Sequence, residues 1–200
     1  VGDGPDGHSL WPGFTNVPNE FIESYFPLRI ERYETIPDSG GAGLHRGGNG
    51  LSVAYRFLCD GDIGIHDERW LTYPWGVLGG ETGLRSTKRL VRVDGSEQWL
   101  PAKAEGIKVK TGDMLYFNTW GGGGWGDPFA RDPELVRQDI NRRLVTVEGA
   151  TRYGVVMAAD GSVDEGATEK LRTELKAAAG EPALFNFGGD VEEIRGRCEA

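Results

Sequence analysis

Alternating apolar and polar positions dominate the first three-fifths of the chain and predict short β-strands. In GLSVAYRFL, apolar residues occupy every second position from 51 to 57, which is typical of a half-buried strand. The stretches ESYFPLRIERYE, DIGIHDERW, KRLVRVDG, EQWLPAK and GIKVKTGDMLYFNTW continue in the same style. Between residues 20 and 119 the pattern therefore predicts strands and turns, with six or more strands in a sandwich or barrel-like arrangement.

The pattern changes after Gly126, where helix signals begin. Asp132 is a good N-cap, Pro133 occupies the first helical position and Glu134 lies in the first turn, so we expect a helix through about Arg143.

Three shorter elements are predicted downstream of that helix. TVEGATRYG indicates a second short helix that stops at Gly154, and VVMAADGSVD indicates a two-strand hairpin that turns on Asp160 and Gly161. Asp164 is expected to cap a third helix that Gly180 closes. The predicted fold is mainly β with a small helical C-terminal tail, α+β overall. The predicted domains are a β-rich body over residues 1–126 and, over residues 127–200, a helical tail with a short β-hairpin.

Charge and cysteine usage narrow the function classes. The 31 acidic and 22 basic side chains among 200 residues give a formal charge of -9, which disfavours binding to nucleic acid or to an anionic membrane surface. Cys59 and Cys198 lie far apart, outside any metal-type spacing, and predict reduced thiols in the cytoplasm. The first residues, VGDGPDGHSLWPGF, lack an initiator methionine and predict a chain that starts part-way through a longer polypeptide.

The tetraglycine of NTWGGGGWGDPFARDPELV raises the question of a phosphate-binding loop. Such a loop needs a Lys and a Ser or Thr directly after its last glycine. Here Trp125, Gly126, Asp127 and Pro128 follow, and a carboxylate at that point repels phosphate. We therefore expect the glycines to serve close backbone packing.

A second glycine-rich stretch, SGGAGLHRGGNG, spans residues 39–50. Its glycine spacing is one residue longer than that of dinucleotide-binding loops and its βαβ context is missing. A wide turn between strands explains it, while His45 and Arg46 remain candidates for contact with an anion. His8 and His66 stand beside acidic residues, so each is either a metal ligand or an ordinary imidazole.

Asp67 and Arg69 follow an apolar strand and form either a catalytic pair or an ordinary salt bridge. We find neither a Gly-x-Ser-x-Gly elbow nor an activated cysteine. The sequence therefore predicts no self-sufficient nucleophilic site.

Several stretches together resemble the C-terminal part of one family. In order they are DGPDGH, FTN, FPLRIERYETIPDSGGAGLHRGGNG, DERWLTYPWGVLGGETG, GDMLYFNTWGGGGWGDPFARDPELV and RYGVV. They are similar to the hydantoinase B family, which includes subunits of ATP-dependent N-methylhydantoinases, 5-oxoprolinases and acetone or acetophenone carboxylases. The similarity extends over nearly the whole chain.

The resemblance implies an enzyme segment within a hetero-oligomer. In the family, a hydantoinase A-like partner uses ATP and Mg²⁺ to phosphorylate an oxygen of the small-molecule substrate, and the B-type subunit completes hydrolysis of a cyclic amide or carboxylation of a ketone. A divalent metal such as Zn or Mn is expected in the remainder of the same B-type subunit, outside this segment.

The resemblance also suggests site residues. Thr15 and Asn16 match a Thr-Asn dipeptide of the family, whereas Val17 and Pro18 replace the Thr-Arg that usually follows. Arg69 matches the Arg of a Ser-Asp-Arg stretch. The candidate catalytic residues are Asn16, to hydrogen-bond a polar substrate group, Arg69, to hold an anion, and Asp67, to orient Arg69.

Two alternatives of another class remain open at this point. The chain is either a non-catalytic scaffold that binds sister subunits through its tryptophans and its FPLRI surface, or an independent acidic binding domain.

Overall fold

The computed structural model describes residues 2–8 and 17–189. The predictions for Asn16 and Cys198 lie outside these residues. The fold is mostly β with several antiparallel sheets, as the sequence predicts. The strands are β1 Leu28–Thr35, β2 Leu51–Phe57, β3 Gly61–His66, β4 Gly76–Val77, β5 Thr87–Val91, β6 Glu97–Trp99, β7 Lys103–Val109, β8 Met114–Asn118 and β9 Phe185–Asn186. The α-helices are α1 Asn19–Tyr25, α2 Pro133–Asn141 and α3 Glu165–Ala178, and 3₁₀ helices span Pro128–Ala130 and Gly149–Tyr153.

The largest sheet is open, not a closed barrel. Its five strands are ordered β1-β2-β8-β5-β6, and their pairs are antiparallel. The β3–β7 ribbon supplies Ile65 and Val109 to the same buried cluster as Leu90 and Leu115 of the sheet. A small two-layer core therefore lies between sheet and ribbon, because the alternating apolar side chains of both must be covered.

A second core joins the helical tail to the glycine-rich loop at residues 39–50. Val136 of α2 packs with Ala150 and Tyr153 of the second 3₁₀ helix, and Ala42 of the loop completes the cluster. Burial raises the pKa of Tyr153 to about 12, so its phenol is neutral at physiological pH.

The predicted helix caps are confirmed in detail. The Asp132 carboxylate accepts a hydrogen bond from Glu134 N–H at 2.9 Å, and the Asp164 carboxylate accepts one from Ala167 N–H at 2.9 Å. Gly154 ends its 3₁₀ helix with φ at 62°, the left-handed conformation that glycine adopts most readily.

Three local expectations are wrong. The chain before β1 forms the short helix α1, not a strand, since Glu20 lies in its first turn and Phe21 stacks on Tyr25 one turn later. The hairpin at residues 155–164 is reduced to a single bridge between Met157 and Val163. Helix α3 ends at Ala178, before Gly180.

Three glycine-rich segments run side by side between the two cores; we call residues 39–50, 74–84 and 119–126 the glycine bundle. Backbone hydrogen bonds connect all three segments, for example from Gly41 N–H to Gly122 O at 2.8 Å and from Val77 N–H to Gly124 O at 3.0 Å. A Cβ at position 121, 123 or 124 would lie within 3.0 Å of a backbone atom of a neighbouring segment. The expectation of close backbone packing is confirmed, because only glycine fits this spacing.

A buried network of ion pairs links residues 2–8 to the glycine bundle and to α2. Arg131 forms two hydrogen bonds with Asp3, at 2.6 and 2.8 Å, and one with Asp139 at 2.8 Å. Arg46 forms an ion pair with Asp6 at 2.8 Å and lies 3.6 Å from Asp139. Both guanidinium groups are almost fully buried, so they depend on these carboxylates to offset the loss of hydration.

The network predicts a pH dependence of stability. Burial by itself raises the pKa of Asp3, but hydrogen bonds from the Arg131 guanidinium and from Arg46 N–H outweigh it, so the pKa lies below its ordinary value of 3.8. Because the pKa is lowered in the folded state, ionised Asp3 stabilises the fold above pH 3.8, and this stabilisation is lost as the pH falls through the lowered pKa.

We expect Asp3→Asn to lower the free energy of unfolding at about pH 7, and the difference from the wild type to shrink toward about pH 2.5. Urea titrations across that range measure both quantities. A difference that is the same at both ends of the range would rule out this role for Asp3.

Among the described residues, no helix has the length and the apolar composition needed to cross a membrane.

Candidate functional site

Three of the four tetraglycine amides donate hydrogen bonds to backbone carbonyls of the glycine bundle. Gly121 N–H donates to Leu84 O, Gly122 N–H to Gly48 O and Gly124 N–H to Glu81 O, at 2.7 to 3.1 Å. A phosphate-binding loop works by pointing such N–H groups at the phosphate oxygens. Here three of the four N–H groups are used within the glycine bundle, which supports the prediction from the missing Lys and Ser or Thr.

A buried polar cluster lies at the end of β3. The Asp67 carboxylate accepts hydrogen bonds from Ser86 Oγ and Lys88 Nζ. The Lys88 side chain is fully buried and that of Asp67 is 2 % exposed, and Lys88 Nζ also lies 5.3 Å from the centroid of the Phe117 ring. The cluster holds the chain at residue 67 against β5, since neither charge can separate from its partner without a large desolvation cost.

Arg69 lies two residues beyond this cluster in an unusual backbone conformation. Its φ is 56°, a left-handed value that a non-glycine residue adopts only when its surroundings enforce it. Ser86 N–H donates to Arg69 O at 3.0 Å. The guanidinium lies 5.3 Å from the centroid of the Trp75 ring, and its Nη1 is 3.4 Å from Tyr73 O.

This geometry corrects one expectation about Asp67. The sequence suggests that Asp67 orients Arg69 directly, either as a catalytic pair or as a salt bridge. In the described residues the Asp67 carboxylate instead pairs with Lys88. The left-handed backbone at position 69 turns the Arg69 side chain toward Trp75, so any influence of Asp67 on Arg69 passes through Ser86, which bonds to both residues.

Trp75 connects this loop to the last described segment of the chain. Its ring lies 5.3 Å from that of Phe187 and 6.2 Å from that of Phe185, in edge-on geometries. Strand β9 pairs with β4, next to Trp75. The candidate site is therefore the loop at residues 67–75 with its supports on β5 and β9.

Sequence reasoning overlooked Lys88 and Ser86. A signal was present in STKRLV, since Ser86, Lys88 and Leu90 occupy alternate positions and all three are buried on the core side of β5. A polar residue in phase with a core leucine indicates a partnered buried group.

The other polar residues that the sequence suggested as candidates make contacts within the fold. The Arg46 guanidinium is bound by carboxylates in the ionic network, so its suggested contact with an anion is wrong. His45 packs against Trp125, with ring centroids 5.4 Å apart, and His66 is hydrogen-bonded to Glu105 at the exposed surface. Within residues 2–8 and 17–189, no group of three or more His, Cys, Asp and Glu side chains is placed to hold a metal ion.

Comparison with known proteins identifies relatives along most of the chain. Residues 1–128 match the family model described as hydantoinase B/oxoprolinase. The caprolactamase subunit beta of Pseudomonas jessenii is 34% identical over 160 residues, which is 76% of this chain and 27% of that protein. The 5-oxoprolinase 1 of Arabidopsis thaliana is 36% identical over 136 residues, 63% of this chain and 11% of that protein.

Two solved structures share the fold. The crystal structure of the ATP-dependent caprolactamase from Pseudomonas jessenii has a TM-score of 0.67 and 26% identity, covering 86% of this chain and 32% of that one. A nucleotide-free acetone carboxylase structure has a TM-score of 0.71 and 23% identity, and the match covers 88% of this chain and 29% of that one. The chain thus spans no more than about a third of these relatives. With the family match extending from the first residue through the tetraglycine, the chain belongs to the hydantoinase B/oxoprolinase family.

Proposed function

We propose that this chain is the C-terminal segment of a hydantoinase B-like subunit in an ATP-dependent, cytoplasmic hetero-oligomer. The complex hydrolyses a cyclic amide of the hydantoin or oxoproline type, or carboxylates a ketone, after a partner subunit has phosphorylated the substrate. The observation that carries the proposal is the family match over residues 1–128. Relatives named as a caprolactamase subunit and a 5-oxoprolinase fit the same class of chemistry.

The reaction chemistry explains why one subunit would phosphorylate the substrate and another would complete the reaction. A cyclic amide is a poor electrophile and a ketone is a poor nucleophile, so placing a phosphoryl group on an oxygen creates a good leaving group before water or a carboxyl donor reacts. Three of the four tetraglycine amides are used within the fold, which supports binding of ATP and Mg²⁺ by a hydantoinase A-like partner. A divalent metal such as Zn or Mn is proposed to lie in the remainder of the B-type subunit.

Within this segment, Arg69 is proposed to contact an anionic group of the substrate. Its left-handed backbone and its position over Trp75 fix the guanidinium at the surface of the loop. Asp67 is proposed as a positioning residue that acts through Ser86, and Asn16 is proposed to hydrogen-bond a polar substrate group.

A scaffold role is the second candidate, and helix α1 favours it. None of its residues is buried, and Phe21, Tyr25 and the adjacent Phe26 are 47%, 71% and 57% exposed. Exposed aromatic side chains in one place are typical of an interface with another protein.

Substitution of Arg69 in the assembled complex distinguishes the two roles. We expect Arg69→Gln to lower ATP-dependent turnover about a hundredfold with assembly intact, because a charged contact that forms at the reacting group is lost. Turnover is measured on a hydantoin, an oxoproline, a lactam and a ketone, and assembly by size-exclusion chromatography.

Arg142→Gln is the matched control, since Arg142 is an exposed arginine at the end of α2. Wild-type turnover in Arg69→Gln would refute the pocket role. Loss of assembly in Arg69→Gln, with Arg142→Gln intact, would favour the scaffold.

A further inference from the structure

A second arginine contacts the same loop as Arg69. Arg85 Nη1 donates to Trp70 O at 3.1 Å and to Leu71 O at 3.3 Å. Its guanidinium lies 4.9 Å from the centroid of the Tyr73 ring. Arg69 Nη1 lies 3.4 Å from the carbonyl of that same tyrosine, so both cationic groups contact Tyr73, one at its ring and the other at its backbone.

Neither of these arginines forms an ion pair with a carboxylate of the described residues. In the described part of the chain, nine of the fourteen guanidinium groups lie within 4.0 Å of a carboxylate, whereas those of Arg69, Arg85 and three other arginines do not. The chain carries a net charge of -9, so carboxylates are abundant. Two uncompensated guanidinium groups at one loop therefore indicate a local excess of positive charge that an anionic ligand would neutralise.

Each of these two guanidinium groups also has N–H donors that no acceptor of the described residues uses. Both arginines use Nη1 for backbone carbonyls, and among the described residues neither Nε nor Nη2 of Arg69 or Arg85 has a protein acceptor. A guanidinium packed against an aromatic ring is held in place by it and keeps its planar fork of donors. Such forks match the oxygens of phosphate and carboxylate groups.

The buried cluster fixes the relative position of the two arginines. Ser86 follows Arg85 directly, and its N–H is bonded to Arg69 O. The Ser86 hydroxyl is bonded to Asp67, which Lys88 holds in turn. The backbone atoms that carry both guanidinium groups are thereby anchored to the core, which preorganises a binding site.

We propose that Arg69 and Arg85 together form a binding site for an oxyanion, the phosphoryl or carboxylate group of a small molecule. The site deepens the proposed function, on which it rests, by assigning Arg85 as a second contact for the anionic group of the substrate. It lies on the loop at residues 69–75, which leads into the 74–84 segment of the glycine bundle, and it does not involve the tetraglycine.

The test is anion binding by the purified full-length protein, measured by isothermal titration calorimetry with inorganic phosphate and, separately, acetate. We expect Arg85→Gln and Arg69→Gln each to weaken binding of the preferred anion about tenfold or more. Arg142→Gln should bind as the wild type does. Arg85→Lys keeps the positive charge but loses the two-pronged guanidinium, so its anion affinity should lie between those of the wild type and Arg85→Gln. Circular dichroism verifies the fold of each variant.

Tighter binding of phosphate would assign the site to a phosphoryl group, and tighter binding of acetate would assign it to a carboxylate. Wild-type affinity in both folded glutamine variants, or no binding of either anion by the wild type at millimolar concentration, would overturn the proposal. Normal ATP-dependent turnover with unchanged anion affinity in Arg85→Gln would refute this site alone. Arginine-dependent anion binding without turnover on any substrate would refute the proposed reaction and leave the site standing.

Discussion

Replacing Gly123 with alanine is expected to lower the free energy of unfolding by about 3 kcal/mol, near the upper end of overpacking effects. The new Cβ would lie within 3.0 Å of both O and C of Trp75. These are backbone atoms of an adjacent segment of the glycine bundle, so they cannot rotate away as the end of a flexible side chain does. Relief requires the segments to separate, which breaks hydrogen bonds such as that from Val77 N–H to Gly124 O. Chemical denaturation of the purified variant measures the effect.

Two other glycines provide graded controls. A Cβ at Gly122 would be 3.1 Å from Gly48 N, and one at Gly61 would meet nothing within 4 Å. Gly122→Ala should therefore lower the free energy of unfolding clearly less than Gly123→Ala does, and Gly61→Ala should change it little. Equal losses for all three variants would contradict this account, because the effect of alanine on the unfolded chain is stabilising and only packing in the folded state distinguishes the three positions.

Replacing Lys88 with methionine is expected to cost about 3 kcal/mol or more of folding free energy. Methionine fills much of the same volume, but it leaves the buried Asp67 carboxylate without its cation. Removing one member of a buried pair is costly because the remaining charge has neither water nor a partner. Thermal and urea unfolding of Lys88→Met measure the loss.

The double variant Asp67→Asn/Lys88→Met separates charge from packing. Since it removes both charges, it should recover a large part of the stability lost in Lys88→Met. Lys108→Met serves as the surface control, because the Lys108–Asp62 pair on β7 and β3 is 78% and 55% exposed, and surface pairs contribute little. A loss in Lys88→Met no larger than that in Lys108→Met would contradict the account of the buried cluster.

Local patterns predicted the β-rich body and the capped helices because each signal is contained in a few neighbouring residues. Period-two alternation identified β2 and β8, and Asp132 and Asp164 marked their helices by side-chain hydrogen bonds within the first turn. The open sheet order was not predictable in the same way. It depends on pairings such as β2 with β8, whose residues are more than 50 positions apart and leave no local trace in the sequence.

The candidate site was likewise predictable only where its signal is local in the sequence. Arg69 was found from its resemblance to a family motif, whereas its left-handed backbone and its contact with Trp75 are consequences of tertiary packing. Arg85 was missed because its only sequence signal is one more basic residue in an exposed-looking stretch. Its proximity to Tyr73 arises only when β5 brings Ser86 against the carbonyl of Arg69.

The tetraglycine illustrates how sequence and structure complement each other. The residues after Gly124 argue against phosphate binding, and the structure adds the positive reason for the glycines, namely that three backbones approach too closely for any Cβ. The segment thus serves the fold and identifies the family, and we propose that nucleotide chemistry belongs to a partner subunit.

That assignment is tested most directly by following substrate-dependent release of inorganic phosphate from ATP together with product formation. The full-length protein is assayed alone, the proposed hydantoinase A-like partner alone, and the two combined. The account predicts that product forms only when both proteins and ATP are present, with phosphate released in proportion to product. Product formed by the full-length protein alone, or by the pair without ATP, would contradict it.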